Sequence, residues 1–109
     1  MTTTETTTKY AFDGSFDDFI EKSHSIRVVV DFYTDWCGPC LELSPTLEEG
    51  AALKHYLLLK INCDDDCEGL ADRFNVEGLP KVIVFENGKE ISEKGFMGGK
   101  KEKALALRN

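Results

Sequence analysis

The sequence predicts an α/β domain in which a central mixed β-sheet carries helices on both faces. Three observations lead there. Short apolar or β-branched runs alternate with stretches whose apolar residues recur every three or four positions, the pattern of β-α-β units. The run Val28-Val29-Val30 is apolar on both sides of a strand, as a strand covered on each face requires. An Asn87-Gly88 pair between two strand-like runs marks a hairpin, so part of the sheet is antiparallel.

The elements follow in order. Residues 1–8 are a polar, threonine-rich tail with nothing to pack and are expected to be disordered, leaving a single domain over residues 9–109. A first strand is expected around Lys9–Phe12. Gly14–Ser23 sets Phe16, Phe19 and Ile20 at i, i+3 and i+4 among acids, which makes an amphipathic helix. Ile26–Tyr33, β-branched and aromatic, is the central strand. Cys40, Leu43, Leu47 and Ala51 are spaced by three and four, so a helix starts at or near Cys37, and Pro45 inside it removes one hydrogen bond and should kink it. His55–Ile61 is the next strand, and Cys67–Phe74 is a short helix with Leu70, Ala71 and Phe74 on one side. Lys81–Phe85 and Glu90–Lys94 are the arms of the hairpin. A last helix over Lys100–Arg108 lays Ala104, Leu105 and Leu107 against the sheet. The expected order is β-α-β-α-β-α-β-β-α.

Composition narrows the partners. The chain has 109 residues, enough for one core without staples. Twenty Asp and Glu against thirteen Lys and Arg give a net charge of −7, which repels phosphate backbones and anionic lipid, so neither nucleic acid nor a membrane is expected as a partner. The longest apolar runs, Tyr56–Leu59 and Val82–Phe85, are far too short to span a bilayer. The first residues lack the basic and apolar regions of a secretory signal, and a cytoplasmic protein is expected.

Four cysteines remain, Cys37, Cys40, Cys63 and Cys67. In a reducing compartment such a set points to catalysis or metal rather than to a disulfide framework. Zinc ribbons favour two residues within each knuckle and 15 to 20 between knuckles. Here Cys-x2-Cys is followed by 22 residues and then Cys-x3-Cys, so neither zinc nor an iron–sulfur cluster is expected. At a strand-to-helix junction, two intervening residues let the sulfurs of Cys37 and Cys40 bridge. The first cysteine meets unpaired backbone N–H groups and the positive end of the helix dipole, which favour a thiolate with a pKa near ~7 rather than about 8.5. Cys37 is therefore the expected nucleophile. At neutral pH the gain in thiolate is about 15-fold and the loss in basicity about 5-fold, so the shift serves leaving-group ability and redox poise as much as attack.

The stretch Val30-Asp31-Phe32-Tyr33-Thr34-Asp35-Trp36-Cys37-Gly38-Pro39-Cys40 resembles the active-site segment of thioredoxins, and Gly78-Leu79-Pro80 followed by Val82–Phe85 resembles their cis-proline loop and strand. The likeness runs from about Tyr10 onward with motifs in the right order and separation. It implies the thioredoxin fold and a protein-disulfide reductase in which Cys37 attacks a substrate disulfide and Cys40 resolves the mixed disulfide. Asp31 lies in an otherwise apolar strand, where burial raises a carboxyl pKa towards neutrality. The resemblance makes it the base for Cys40, and Lys60 matches a lysine that sits near that aspartate. Gly38 and Pro39 restrict the dipeptide between the sulfurs and tune the potential. Trp36 belongs to an apolar contact surface, and a cis Leu79–Pro80 bond would offer the Leu79 backbone to an extended substrate. No bound cofactor is implied. Electrons would come from NADPH through thioredoxin reductase, and the other partners would be disulfide-containing proteins met by a monomer. The alternative is a thioredoxin-like redox-sensing or interaction module with a dedicated partner. Oxidase or isomerase chemistry fits Gly-His between the cysteines better than Gly-Pro.

Other features have plainer readings. Inert buried thiols would not need Trp36 or Gly38-Pro39 around them. Cys63 is expected to be a small buried residue, with a regulatory Cys63–Cys67 link as the alternative. Asp64-Asp65-Asp66 lacks the spaced ligands of an EF-hand and reads as a solvated helix cap. His24, His55 and Lys100–Lys103 read as surface. Two residues depart from the family's pattern beside the site: Leu41 where Lys or Arg is usual, and Lys81 where Thr is frequent.

Overall fold

The computed structural model describes residues 15–66 and 69–109. The tail over residues 1–8, the strand expected at Lys9–Phe12, and Cys67 lie outside the described residues. Among the described residues, four helices and five strands follow one another as α1 (Ser15–Lys22), β1 (Val28–Tyr33), α2 (Gly38–Ala52), β2 (Leu57–Asn62), α3 (Leu70–Arg73), β3 (Lys81–Glu86), β4 (Lys89–Glu90), β5 (Phe96–Met97) and α4 (Lys101–Ala106), with single 3-10 turns at Cys63–Asp65 and Ser92–Lys94.

The sheet runs β2-β1-β3-β4, with β5 also paired to β3. β1 is parallel to β2 and antiparallel to β3, so the sheet is mixed. Parallel neighbours need a crossover, and α2 supplies it. Strand alternation then divides β1 between two cores. Val28, Val30 and Phe32 pack with Phe16 and Phe19 of α1, Leu70 of α3, Leu59, Ile61, Ile83 and Phe85. Phe74 joins that side, its ring 5.6 Å from Phe16 and 5.9 Å from Phe85. Val29 faces the opposite way, into Leu43, Leu47 and Ala51 of α2, Tyr56, Leu58, Val82, Val84, Phe96, and Ala104 and Leu107 at the end of the chain. By the same alternation Asp31 falls on the α2 side, its Cα paired with those of Lys60 and Val82.

Three expected elements differ from what is observed. The second arm of the hairpin, expected over Glu90–Lys94, pairs at Lys89–Glu90 and holds on by one further bond, from the Ile91 N–H to the Val84 carbonyl at 2.8 Å. The Asn87-Gly88 turn forms as expected, with φ of 56° and 81°. However, Ser92-Glu93-Lys94 offers no apolar alternation to hold the arm down, and the chain loops out there before pairing again at β5, where Phe96 meets Val82. Gly95 permits the return, since a Cβ there would stand 2.8 Å from the Val82 carbonyl oxygen. Of the short helix expected over Cys67–Phe74, the described part spans Leu70–Arg73: both carboxylate oxygens of Asp66 accept the N–H groups of Leu70 and Ala71 (2.9 and 2.7 Å), and Gly69 before it is left-handed, with φ of 68°. In the last helix Leu105 is exposed while Ala104 and Leu107 are buried. Those two, three residues apart, share the face turned to α2, and Leu105 lies about 100° round the helix from Ala104. Arg27 fastens the end of the chain, pairing with Glu86 (2.5 Å) and donating to the Leu107 carbonyl (2.6 Å).

Candidate active site

Residues 34–37 turn the chain from the end of β1 into α2, and Cys37 is the cap of that helix, with extended backbone (φ −93°, ψ 108°). Its Sγ accepts the N–H of Cys40 at 3.2 Å, in the place that a serine or aspartate oxygen occupies in other helix caps. Gly38 and Pro39 form the first turn, where proline's missing N–H costs nothing. The two cysteines are joined as a disulfide with Cα atoms 5.2 Å apart. Both are buried, Cys37 at 8% exposure and Cys40, one turn in, at 2%.

The other expected residues surround this pair. Trp36 is 73% exposed, and its indole N–H donates to Asp64 Oδ2 at 3.0 Å. The Leu79–Pro80 peptide is cis, Pro80 is buried, and the Pro80 carbonyl accepts the N–H of Gly98 at 2.8 Å. That bond brings the Gly98-Gly99 loop to the site, and a Cβ on Gly99 would touch Pro39 at 3.3 Å. Leu41 and Met97 are exposed apolar residues on the same rim, with Lys81 paired opposite Met97.

Asp31 lies beneath, 1% exposed, with Oδ1 lacking a hydrogen-bond partner among the described residues. Burial raises its pKa from 3.8 to about 7, the Lys60 charge pulling it down and Glu48 pushing it up. Lys60 turns its ammonium to α2, where Ser44 Oγ (2.6 Å) and Glu48 Oε2 (2.8 Å) accept from it. Ser44 and Glu48 were not singled out by the sequence reading. Both follow Cys40 at four-residue steps along α2 and a lysine on a covered strand needs a counter-charge, but the sequence does not say which helix face meets Lys60.

Among the acidic triplet, only Asp66 caps a helix, and Asp64 holds Trp36 instead. Cys63 is half-buried against the α1 side of the core, and burial followed by the charges of Asp66, Asp64 and Asp31 pushes its thiol up to about 11, which keeps it protonated and unreactive. A Cys63–Cys67 link involves a residue outside the described ones. His24 and His55 are exposed, as expected.

A strand-to-helix turn that presents a helix-capping cysteine, a second cysteine bonded to it one turn in, and a buried carboxyl beneath defines a thiol–disulfide oxidoreductase. The comparisons agree. The thioredoxin family model matches residues 7–108. The chain is 44% identical over 88 residues to probable thioredoxin-2 of Caenorhabditis elegans, covering 77% of this chain and 59% of the nematode protein. It is 38% identical over 78 residues to the thioredoxin of Chlamydia trachomatis, covering 71% and 76%. It is also similar, with a TM-score of 0.79 and 25% identity over 96% of this chain and 94% of the other, to a chain in the crystal structure of a complex between ferredoxin:thioredoxin reductase and thioredoxin f2. The chain belongs to the thioredoxin family. Its fold is the thioredoxin fold, and its chemistry is protein-disulfide reduction by the Cys37–Cys40 pair.

Proposed function

We propose that catalysis runs as a two-step exchange. The Cys37 thiolate attacks one sulfur of a substrate disulfide, forming a mixed disulfide and releasing the other substrate sulfur as a thiolate. Cys40 then passes its proton to Asp31 and attacks Cys37 Sγ, expelling the second substrate sulfur. The substrate gains two electrons and the pair closes as Cys37–Cys40. The observation that carries this reading is the cap: the Cys37 sulfur accepts a backbone N–H at the positive end of α2, while Cys40 is sealed one turn inside.

The remaining roles belong to the same reading. Gly38 and Pro39 hold the pair in a short turn and tune its potential. An extended substrate lies along Leu79, beside cis Pro80, with Trp36 supplying apolar contact. Lys60 modulates Asp31. The protein acts as a monomer in the cytoplasm, where the thiol poise suits a reductant. Its electrons come from NADPH through thioredoxin reductase. The likeness to a chain crystallised with ferredoxin:thioredoxin reductase supports a second class of donor.

The test is an insulin-reduction assay with each donor, together with the equilibrium potential of the pair. A potential near about −270 mV and turnover lost in Cys37→Ser are expected, with a trapped mixed disulfide in Cys40→Ser. A potential more oxidising than about −230 mV would sink the reductase reading. An intact couple that neither donor turns over points to a module with a dedicated partner.

A further inference from the structure

Asp31 and Lys60 are direct neighbours across β1 and β2, and a buried carboxyl beside a lysine would ordinarily take the ammonium as its partner. Here the ammonium is held elsewhere. Lys60 Nζ donates to Ser44 Oγ at 2.6 Å and to Glu48 Oε2 at 2.8 Å, lies 4.8 Å from the centre of the Tyr33 ring, and Ser44 Oγ donates to Glu48 Oε2 at 2.9 Å. These three side chains form a closed ring on the flank of α2, while Asp31 Oδ1 is left without a partner among the described residues.

We propose that Ser44 and Glu48 are positioning residues for the resolving step: they clamp the Lys60 ammonium against α2, so that Lys60 acts on Asp31 through its charge alone and Asp31 stays a buried carboxyl without a hydrogen-bonded cation, able to take the Cys40 proton. The inference rests on the reading of Asp31 as base. The charges that act on Asp31 are Lys60 from β2 and Glu48 from α2, and its own charge reaches Tyr33 on β1 and Tyr56 and Cys63 at the two ends of β2; Val82, opposite on β3, does not titrate. Glu48 itself is pulled below its usual range although burial opposes this, because Lys60 and Ser44 donate to it and the ammonium charge attracts it. It is therefore ionised wherever Asp31 titrates. Removing its charge acts twice in one direction. A negative neighbour of Asp31 is lost, and the ammonium is freed to approach it.

The experiment follows the Asp31 carboxyl by NMR titration in the oxidised protein. In parallel, the release of thionitrobenzoate from its mixed disulfide with Cys37 is timed against pH. The Glu48 side chain is 42% exposed, so Glu48→Gln should fold. In that variant the Asp31 midpoint is expected to fall by about one unit, the lower end for a cation drawn near a carboxylate. Ser44→Ala should shift it less in the same direction, and in a Lys60→Met background the Glu48→Gln effect should largely vanish. An Asp31 midpoint unchanged or raised in Glu48→Gln overturns the clamp. A midpoint that moves while the release profile stays put upholds the clamp and removes Asp31 as the base.

Discussion

A single carboxyl shows how burial turns a structural cost into chemistry. Asp31 binds its proton more tightly in the folded chain, at about 7, than at its ordinary value of 3.8. Below about pH 4 both states are protonated and the group contributes no difference. As pH rises towards 7 the unfolded state ionises first, so the folded state loses stability, on the order of 4 kcal/mol in all. Asp31→Asn keeps the shape and removes the ionisation. In urea unfolding of the oxidised protein it should match the parent near pH 4 and be several kcal/mol more stable near pH 8; the same offset at both would refute a buried ionisation. Asp31 was legible in the sequence as an acid within an apolar strand. Ser44 and Glu48 were not, because a polar residue on a helix reads as solvated until the facing strand is known to bring Lys60 to it.

At the scale of the element, α2 carries the site and is held by contacts that its own sequence does not disclose. Gly50 is buried within it, and a Cβ there would run into the Tyr56 hydroxyl and ring, with Cζ 2.6 Å away. Tyr56 cannot move aside cheaply, since it is fully buried and donates to the Leu47 carbonyl at 2.8 Å. Ala would gain about 1 kcal/mol of helix propensity, whereas overpacking costs about 1 to 3 kcal/mol. Gly50→Ala should therefore lower the urea midpoint despite alanine's preference for helix; a raised midpoint would show that Tyr56 yields. The periodicity that located α2 was sound, as Cys40, Leu43, Leu47 and Ala51 are all buried. The hairpin was only half legible. A two-residue turn is encoded locally by Asn87-Gly88, but how long its arms stay paired depends on the neighbouring strand and on Gly95.

Across the whole molecule, the rim of the site is assembled from distant segments: Trp36 after β1, Leu41 in α2 and Met97 in β5, all exposed. Such a surface favours apolar, extended partners and has little grip on a small disulfide. The double variant Leu41→Gln with Met97→Gln removes apolar area without adding charge beside Cys37. Its KM for insulin should rise several-fold while the rate with a small aromatic disulfide changes little, and an equal loss on both would place the rim in the chemistry rather than in docking. The net charge of −7 is not spread evenly here, since Lys81 borders the rim and Leu41 contributes no cation. Recognition by a reductase thus depends on local placement more than on the total.

The cis Leu79–Pro80 loop was expected from the likeness of Gly78-Leu79-Pro80 to the thioredoxin motif, whereas local pattern alone expressed the alternation of strand and helix, the Cys37–Cys40 turn at a helix start and the buried acid. These follow from spacing and residue type, which neighbouring residues suffice to express. Which polar groups meet depends instead on the packing of elements distant in sequence. Asp64 reaches Trp36, Ser44 and Glu48 take Lys60 from Asp31, and Leu107 rather than Leu105 turns inward. The first contact joins the turns after β1 and β2, which the parallel pairing of those strands brings side by side; in the other two the partner is set by how a helix is rotated against the sheet, and a rotation of one residue, about 100°, changes the partner while leaving the local pattern intact.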